Sequence, residues 1–290
     1  MGSDFLFQAV GPRYVDNYEG LEERYRVYSV SARRLVDFVG VQETDTVVDI
    51  CCGTGISSQA VHQKLGEDGS LIGVDISDNM LNRAKEKFSG VPNARFILGD
   101  ALELQSLIDD QVDVVLANFS LYHFLDDLEE LFLGVRDILK PGGMYVFNLT
   151  SYFTPLRFNG HSYNRLGHLW LEVADEILKE QGYEGRGDYT TDSSLVDNSD
   201  RMTGLLYDQG FGAVILQMSN LPITSEETLD FTWDGFFRFG AATFFSTTLA
   251  AIPLPQRLPL IEKMIERAKK NCVECNVQER PNILDFLAIK

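Results

Sequence analysis

Two carboxylates and two glycines, Asp49, Gly53, Gly55 and Asp75, stand at spacings that suit a ligand held against backbone. Asp49 lies in the apolar run Val47-Val48-Asp49-Ile50, and Cys51-Cys52-Gly53-Thr54-Gly55 follows at once. Glycine takes φ > 0 and leaves no Cβ in the way, so this turn lets backbone approach a ligand closely. Asp75 ends a second apolar run, Leu71-Ile72-Gly73-Val74-Asp75, roughly 20 residues beyond the glycines, where an acid that holds ribose hydroxyls is expected. Strand, glycine turn and helix in this order predict an adenosine-containing cofactor.

Two cofactor classes use this layout. A dinucleotide fingerprint wants a third small residue, Gly or Ala, for helix packing, and places pyrophosphate at the helix N-terminus. The chain reads Gly53-Thr54-Gly55-Ile56-Ser57-Ser58, with Ser at that third position. Asp49 would also set a negative charge beside a pyrophosphate. It suits S-adenosylmethionine better, because that cofactor carries an ammonium and a sulfonium and has no phosphate.

Apolar strands alternate with helices over Thr46 to Cys51, Leu71 to Asp75, Ala94 to Leu98, Val112 to Asn118 and Met144 to Leu149. Such alternation predicts a parallel sheet with helices on both faces. An amphipathic helix over Leu21 to Val39 precedes the first strand. The acidic run Asp126-Asp127-Leu128-Glu129-Glu130 opens a later helix, where carboxylates meet the positive end of its dipole, and Lys140-Pro141-Gly142-Gly143 ends that helix. Met202 to Asp208 and Ala213 to Met218 read as a further helix and strand, and Ile283 to Ile289 as a last strand.

In order and spacing, Val48-Asp49-Ile50-Cys51-Cys52-Gly53-Thr54-Gly55, Gly73-Val74-Asp75-Ile76-Ser77, Gly99-Asp100-Ala101, Asp113-Val114-Val115-Leu116-Ala117-Asn118 and Leu139-Lys140-Pro141-Gly142-Gly143 cover Thr44 to Thr150. This series resembles the class I S-adenosylmethionine-dependent methyltransferases, above all the small-molecule branch with the ubiquinone and menaquinone methyltransferases. Cys51 stands where that family usually has the first glycine of its motif, which predicts a slightly displaced turn. The resemblance implies a Rossmann-like, mostly parallel sheet whose last strand is antiparallel. It also implies cofactor contacts from Asp49, Cys51, Gly53, Gly55, Asp75, Ile76, Met80, Asp100, Ala101 and Asn118. Asp100 would accept from the adenine amino group, and Ile76 and Met80 would sandwich the ring, although a Met at helical spacing equally suits plain core. Tyr14 and Tyr18 sit where the family's N-terminal segment closes over the cofactor; surface packing is the plainer reading. Asp75 and Asp100 have plain readings too, as a cap and a turn residue.

Methyl transfer from a sulfonium needs the protein mainly to set distance and angle and to exclude water. No strong nucleophile is required. Tyr122 and His123, in Asn118-Phe119-Ser120-Leu121-Tyr122-His123-Phe124, follow the fourth strand, where the family places substrate and cofactor contacts. His123 is the one catalytic candidate, as a base with near-neutral pKa; a structural histidine is the alternative. The aromatic insertions bring Tyr152, Trp170, Trp233 and Phe237 as substrate contacts, against the plain reading of a cap core.

The expected organisation is an N-terminal lid and helix over 1–43, a cofactor core over 44–150, a core helix and strand over 200–219, and the last strand over 282–290. Insertions at 151–199 and 220–281, without sheet strands, would form a mainly helical cap. A net charge of −18 argues against a nucleic-acid or anionic-membrane partner. No signal peptide or apolar run of membrane length appears, so a cytoplasmic protein is expected. Cys272-Val273-Glu274-Cys275 lacks a second cysteine pair or nearby histidine, so no metal is expected. The oligomeric state stays open, a homodimer being one option.

The predicted activity is methyl transfer to a small, partly apolar metabolite at oxygen or carbon, of the aromatic, isoprenoid-like or quinone type found in secondary metabolism. N-methylation, a non-catalytic S-adenosylmethionine-binding protein and an NAD-dependent oxidoreductase are the alternatives. The last lacks a Tyr-x-x-x-Lys or paired His and Arg for hydride transfer.

Overall fold

The computed structural model describes residues 12–124, 126–150, 156–158, 161–163, 173, 175–183, 199–220, 252, 254–274 and 282–290. Helices α1 (Pro12–Tyr25) and α2 (Val27–Val39) lead into strand β1 (Thr46–Ile50), followed by α3 (Ile56–His62), β2 (Ser70–Asp75), α4 (Asp78–Lys87) and β3 (Ala94–Leu98). Then come α5 (Leu104–Leu107), β4 (Val112–Ala117), α6 (Leu128–Ile138) and β5 (Leu139–Thr150). A separate two-stranded ladder, β6 (Leu156–Phe158) with β7 (His161–Tyr163), precedes α7 (Ser199–Asp208), β8 (Ala213–Asn220), α8 (Leu254–Glu274) and β9 (Asn282–Ile289).

The main sheet has seven strands in the order β3-β2-β1-β4-β5-β9-β8. All pairs from β3 to β5 are parallel, and β9 runs antiparallel between β5 and β8. The Rossmann-like expectation is met, including the reversed last strand. Successive residues of β1 serve opposite faces, since side chains alternate along a strand. Val47 packs with Ala32, Leu35 and Val36 of α2 and Ala60 and Val61 of α3. Val48 and Ile50 belong to the core cluster that also holds Leu131, Phe132 and Val135 of α6 and Met202 and Leu206 of α7. Both faces are therefore covered, which is why these strands read as continuous apolar runs. Across β5 and β9, Phe147 and Phe286 stack with centroids 4.8 Å apart, worth about 0.5–1.5 kcal/mol beyond their burial.

The single helix expected over Leu21 to Val39 is broken. Arg26 takes φ 53° and divides α1 from α2, because the Glu22 carboxylate supplies what a continuing helix would otherwise supply. Its oxygens accept from the Tyr28 and Ser29 N–H groups at 2.9 and 3.2 Å, satisfying donors of the new helix start. Burial raises the Glu22 pKa against those bonds. Glu22→Ala should cost about 1 kcal/mol in urea unfolding, and an unchanged midpoint would remove the cap from this account.

At the other end of the sheet, Asp285 of β9 is fully buried, and Arg34 of α2 meets both its oxygens at 2.7–3.0 Å. Burial pushes the Asp285 pKa up to about 6 while the guanidinium pulls it back. This pair fixes α2 across β9, so the helix leading into β1 is anchored before the ligand turn begins.

Among the described residues, no helix is long and apolar enough to cross a membrane. The segments expected to form a cap contribute α8 and the short β6-β7 ladder, which is separate from the main sheet. Cys275 and most of the aromatic insertions lie outside the described residues.

Candidate functional site

Sheet order reverses between β1 and β4, opening a crevice beyond their carboxyl ends, the usual ligand position in an open α/β sheet. Backbone strain gathers there. Cys51, just after β1, has φ 52°, and Phe119, just after β4, has φ 55°. Left-handed backbone costs a side-chain-bearing residue roughly 1–2 kcal/mol and persists only where surroundings hold it. At Phe119 the holder is Asn148 of β5, whose Oδ1 accepts from the Phe119 N–H at 2.8 Å.

At Cys51 the sequence predicts a displaced turn. The structure instead has Cys51 itself adopt the glycine-like conformation, with Gly53 at φ 55° and Gly55 at φ 80° completing the turn. Burial and the nearby Asp75 and Asp49 charges raise the Cys51 thiol pKa. The thiol stays protonated and is a poor nucleophile. Cys51→Gly should stay within about 1 kcal/mol of the parent, strain relief offsetting the looser unfolded chain, whereas Cys51→Val should lose roughly 1–2 kcal/mol. Equal stabilities in chemical unfolding would remove strain from this turn.

The carboxylates organise the turn from both sides. Asp75 Oδ2 accepts from Gly53 N–H at 2.8 Å and Oδ1 from Ser77 N–H at 2.9 Å. Each oxygen keeps a second lone pair, and burial raises the Asp75 pKa. Asp75 is thus a turn-ordering residue as well as a ligand candidate. Ser77, not Asp75, caps α4, its hydroxyl accepting from Met80 N–H at 3.4 Å.

Asp49 is 1% exposed, and its Oδ2 accepts from the Ser58 hydroxyl of α3 at 2.6 Å. Its Oδ1 is buried and has no hydrogen-bond partner. A buried unsatisfied acceptor is costly, and desolvation, reinforced by the Asp75 charge, raises the Asp49 pKa to about 7. The site therefore holds an unpartnered buried acceptor that a donor would satisfy and whose ionised form a cationic ligand would favour.

The remaining candidates fall on the same end of the sheet. Ile76 is 42% exposed and free to meet an apolar ring, whereas Met80 is buried at 8% and joins the core of α4. Asp100 Oδ1 accepts from Leu102 N–H at 3.0 Å and caps a short 3-10 turn in which Ala101 is buried. Asn118 is engaged in the scaffold: its amide donates to Tyr28 O at 3.1 Å, and its Oδ1 accepts from Asn148 Nδ2 at 2.8 Å. Tyr18 meets Tyr28 in a tilted pair with centroids 4.7 Å apart, and Tyr28 meets Phe119 edge-on at 5.5 Å. His123 closes a 3-10 turn after β4. Its side chain is open to solvent at the surface while surrounding protein desolvates it, lowering its pKa to about 4. With its pKa lowered, this imidazole is neutral at physiological pH.

Sequence reading missed how α1 joins the site. Glu19 accepts from the Thr54 hydroxyl of the glycine turn and pairs with Lys87 of α4 at 2.7 Å, while Asp16 pairs with Arg83 at 3.0 Å. Leu98, at the end of β3 and opposite Asp75 in register, is 53% exposed. Ser58 carried a signal, since it lies one turn into the helix that faces Asp49. The side chains of Tyr14 on α1 and Tyr122 beside His123 lie outside the described part, as do Tyr152, Trp170, Trp233 and Phe237.

Residues 47–143 match the family described as methyltransferase domain. A demethylmenaquinone methyltransferase of Staphylococcus aureus is 34% identical over 148 residues, covering 50% of this chain and 59% of that protein. The chain therefore spans about 59% of the length of the curated relatives it matches. Among solved structures, Haemonchus contortus phosphoethanolamine N-methyltransferase 2 in complex with S-adenosyl-L-methionine is 16% identical with a TM-score of 0.57, covering 97% of this chain and 57% of that one. A cyclopropane synthase from Mycobacterium tuberculosis is 16% identical with a TM-score of 0.55, covering 90% of this chain and 83% of that one. At these identities the structures bear on fold alone, and they share the Rossmann-like architecture of the methyltransferase domain.

Proposed function

We propose that this chain transfers a methyl group from S-adenosylmethionine to a small, partly apolar metabolite at oxygen or carbon. The observation that carries the reading is the acidic glycine turn, where a buried Asp49 oxygen lacks a partner and Asp75 faces the same backbone. A phosphate-bearing dinucleotide would meet repulsion there, whereas a ligand with ammonium and sulfonium charges offsets the buried carboxylates.

The residues present fit that cofactor. S-adenosylmethionine, when bound, supplies a methyl on a sulfonium that is activated for in-line displacement. Asp75 would accept from the ribose hydroxyls with its free lone pairs, Asp100 from the adenine amino group, and Ile76 would cover the ring. Asp49 would act on the methionine end, and Gly53 would leave backbone open to it, since a Cβ built there meets nothing within 4 Å. Met80 and Asn118 support these contacts from behind, as core and scaffold.

On the acceptor side, His123 offers a neutral imidazole to a hydroxyl or acidic carbon. Its low pKa makes it a weak base, which suits an acceptor that releases its proton readily, such as a phenol or a hydroquinone. The named activity of the Staphylococcus aureus relative, on demethylmenaquinone, supports the same class. Tyr122 and the aromatics Tyr152, Trp170, Trp233 and Phe237 complete the proposed acceptor contacts, and Tyr14 and Tyr18 the lid.

Calorimetry with S-adenosylhomocysteine and, separately, NADH tests the cofactor, and a mass-shift screen of quinols, phenols and amines tests transfer. Binding of S-adenosylhomocysteine with a 14 Da gain on a phenolic or carbon acceptor is expected, the mass following from replacement of hydrogen by methyl. NADH binding instead would overturn the reading, and tight S-adenosylmethionine binding with no methylated product would reduce it to a binding protein.

A further inference from the structure

Asn148 interrupts an apolar face of β5. Val146 on that face belongs to the core cluster that holds Leu35 and Val36 of α2, with Met144 packed against it, and Asn148 follows them on the same face at 1% exposure. A buried amide is costly unless its polar atoms find partners. Here Nδ2 donates to Ser31 Oγ of α2 at 2.7 Å and to Asn118 Oδ1 at 2.8 Å, and Oδ1 accepts from Phe119 N–H at 2.8 Å. Both amide protons are spent.

Backbone fixes the direction of this relay at both ends. The Phe119 N–H can only donate, so it takes the Asn148 oxygen; the Tyr28 carbonyl can only accept, so it takes the Asn118 amide nitrogen, at 3.1 Å. Asn118 Oδ1 is thereby left facing the Asn148 nitrogen, and every contact sets a donor against an acceptor. A satisfied buried network of this kind rigidifies its surroundings and specifies one arrangement. What it specifies is the backbone after β4, where Phe119 at φ 55° leads through Ser120 into the 3-10 turn Leu121–His123. The cofactor candidates Asp49, Asp75 and Asp100 stand on or just after β1, β2 and β3, across β4 from β5 in the sheet order.

We propose, on the reading of His123 as the acceptor-side base, that Asn148 is a positioning residue for methyl transfer: it holds the Asn118-Phe119 backbone so that the following turn presents His123 to the acceptor, and it does little for the cofactor. Small displacements of a reacting group cost turnover steeply, so a loosened turn is read first in kcat. Ser31 provides the contrast within the same network, because its bond ties the Asn148 amide to α2 and not to the turn.

Asn148→Leu fills the space and drops all three bonds, Asn148→Asp keeps the acceptor for Phe119 N–H but sets an oxygen against Asn118 Oδ1, and Ser31→Ala removes only the bond to α2. Turnover is read on the full chain as S-adenosylhomocysteine release with naphthoquinol as acceptor, cofactor affinity by calorimetry with S-adenosylhomocysteine, and the turn by hydrogen exchange of the Phe119 amide and the NMR signal of the His123 ring. Slow exchange of that amide is expected in the parent. Asn148→Leu should lower kcat at least about tenfold, with faster Phe119 exchange, a shifted His123 signal and a Kd for S-adenosylhomocysteine within about threefold of the parent. Asn148→Asp should move the same readouts the same way and serves if the leucine variant does not fold, while Ser31→Ala should leave kcat and the His123 signal near the parent. Fast Phe119 exchange in the parent overturns the assignment, as does a folded Asn148→Leu with unchanged kcat and His123 signal, or a loss of cofactor affinity as large as the loss of kcat. Equal effects of Ser31→Ala and Asn148→Leu overturn it too, because they mark ordinary packing of α2. A parent that binds S-adenosylhomocysteine but methylates nothing sinks the methyl-transfer reading alone, and the Phe119 exchange and His123 signal of the variants then decide whether Asn148 holds the turn.

Discussion

Affinity for S-adenosylmethionine should rise more than about tenfold between pH 5.5 and pH 7, and the rise should vanish in Asp49→Asn. The cause is the proton on Asp49. Desolvation and the neighbouring Asp75 hold this carboxyl's pKa up at about 7, so through most of that window the empty site is neutral at Asp49. A cationic ligand favours the ionised form, and binding must expel the proton; the further the pH lies below 7, the more that expulsion costs. An α-amino group titrates near 7.7–8.0, so the ligand keeps its ammonium throughout the window. His123, with its pKa lowered to about 4, does not titrate there either. Asp285 does, at about 6, but it is paired with Arg34 away from the glycine turn, and Asp49→Asn leaves it in place. The sign for the free protein is the reverse. A carboxyl whose folded pKa is raised stabilises the fold fully below its unfolded value near 4, and that contribution is lost as pH climbs through about 7. Thermal stabilisation by the ligand should therefore grow with pH while the free protein's own margin shrinks. Calorimetry at several pH values checks both, and a flat affinity profile in the parent protein would detach Asp49 from the cofactor.

The strands and the glycine turn were legible because their signals are local. Buried parallel strands must be apolar on both faces, and glycine at a left-handed turn has no substitute of equal freedom. Cys51 escaped this logic: its left-handed backbone is imposed by the turn around it, and nothing in a cysteine announces φ 52°. The break at Arg26 was hidden for a similar reason, since Glu22 caps a helix that begins five residues later, and periodicity sees only one amphipathic stretch. The contacts that join α1 to the site span 35 to 68 residues, from Glu19 to Thr54 and to Lys87. Charges at such separations look like a solvated helix face until the fold brings them together. Asn118 carries a second role that its position at the end of β4 does not announce: its amide bonds Tyr28 and Asn148, which only the neighbouring strand and helix reveal.

Gly53 and Gly55 should fail in different ways when replaced. Both sit at positive φ, 55° and 80°, so any side chain meets a left-handed cost of roughly 1–2 kcal/mol, more for a β-branched one. Beyond that their surroundings diverge. A Cβ at Gly55 lies 3.3 Å from Ala84 Cβ and 3.3 Å from Phe88 Cε2, on the buried flank of α4. Gly55 is therefore the residue that lets α3 start close against α4, and Gly55→Val adds overpacking of about 1–3 kcal/mol to the strain. At Gly53 the same Cβ meets nothing within 4 Å, and its N–H is held by Asp75 at 2.8 Å. The space beside it is where a cofactor's backbone approach would occur, so Gly53→Val puts methyl groups into that space. The expectation is a folded Gly53→Val protein that loses at least about 100-fold in affinity, or roughly 2.8 kcal/mol, and a Gly55→Val protein that loses about 3 kcal/mol or more of folding stability. Urea unfolding beside calorimetry with S-adenosylhomocysteine separates the two. Normal binding by a well-folded Gly53→Val protein would place the cofactor away from this turn, and an undiminished unfolding midpoint in Gly55→Val would mean that Ala84 and Phe88 give way at little cost.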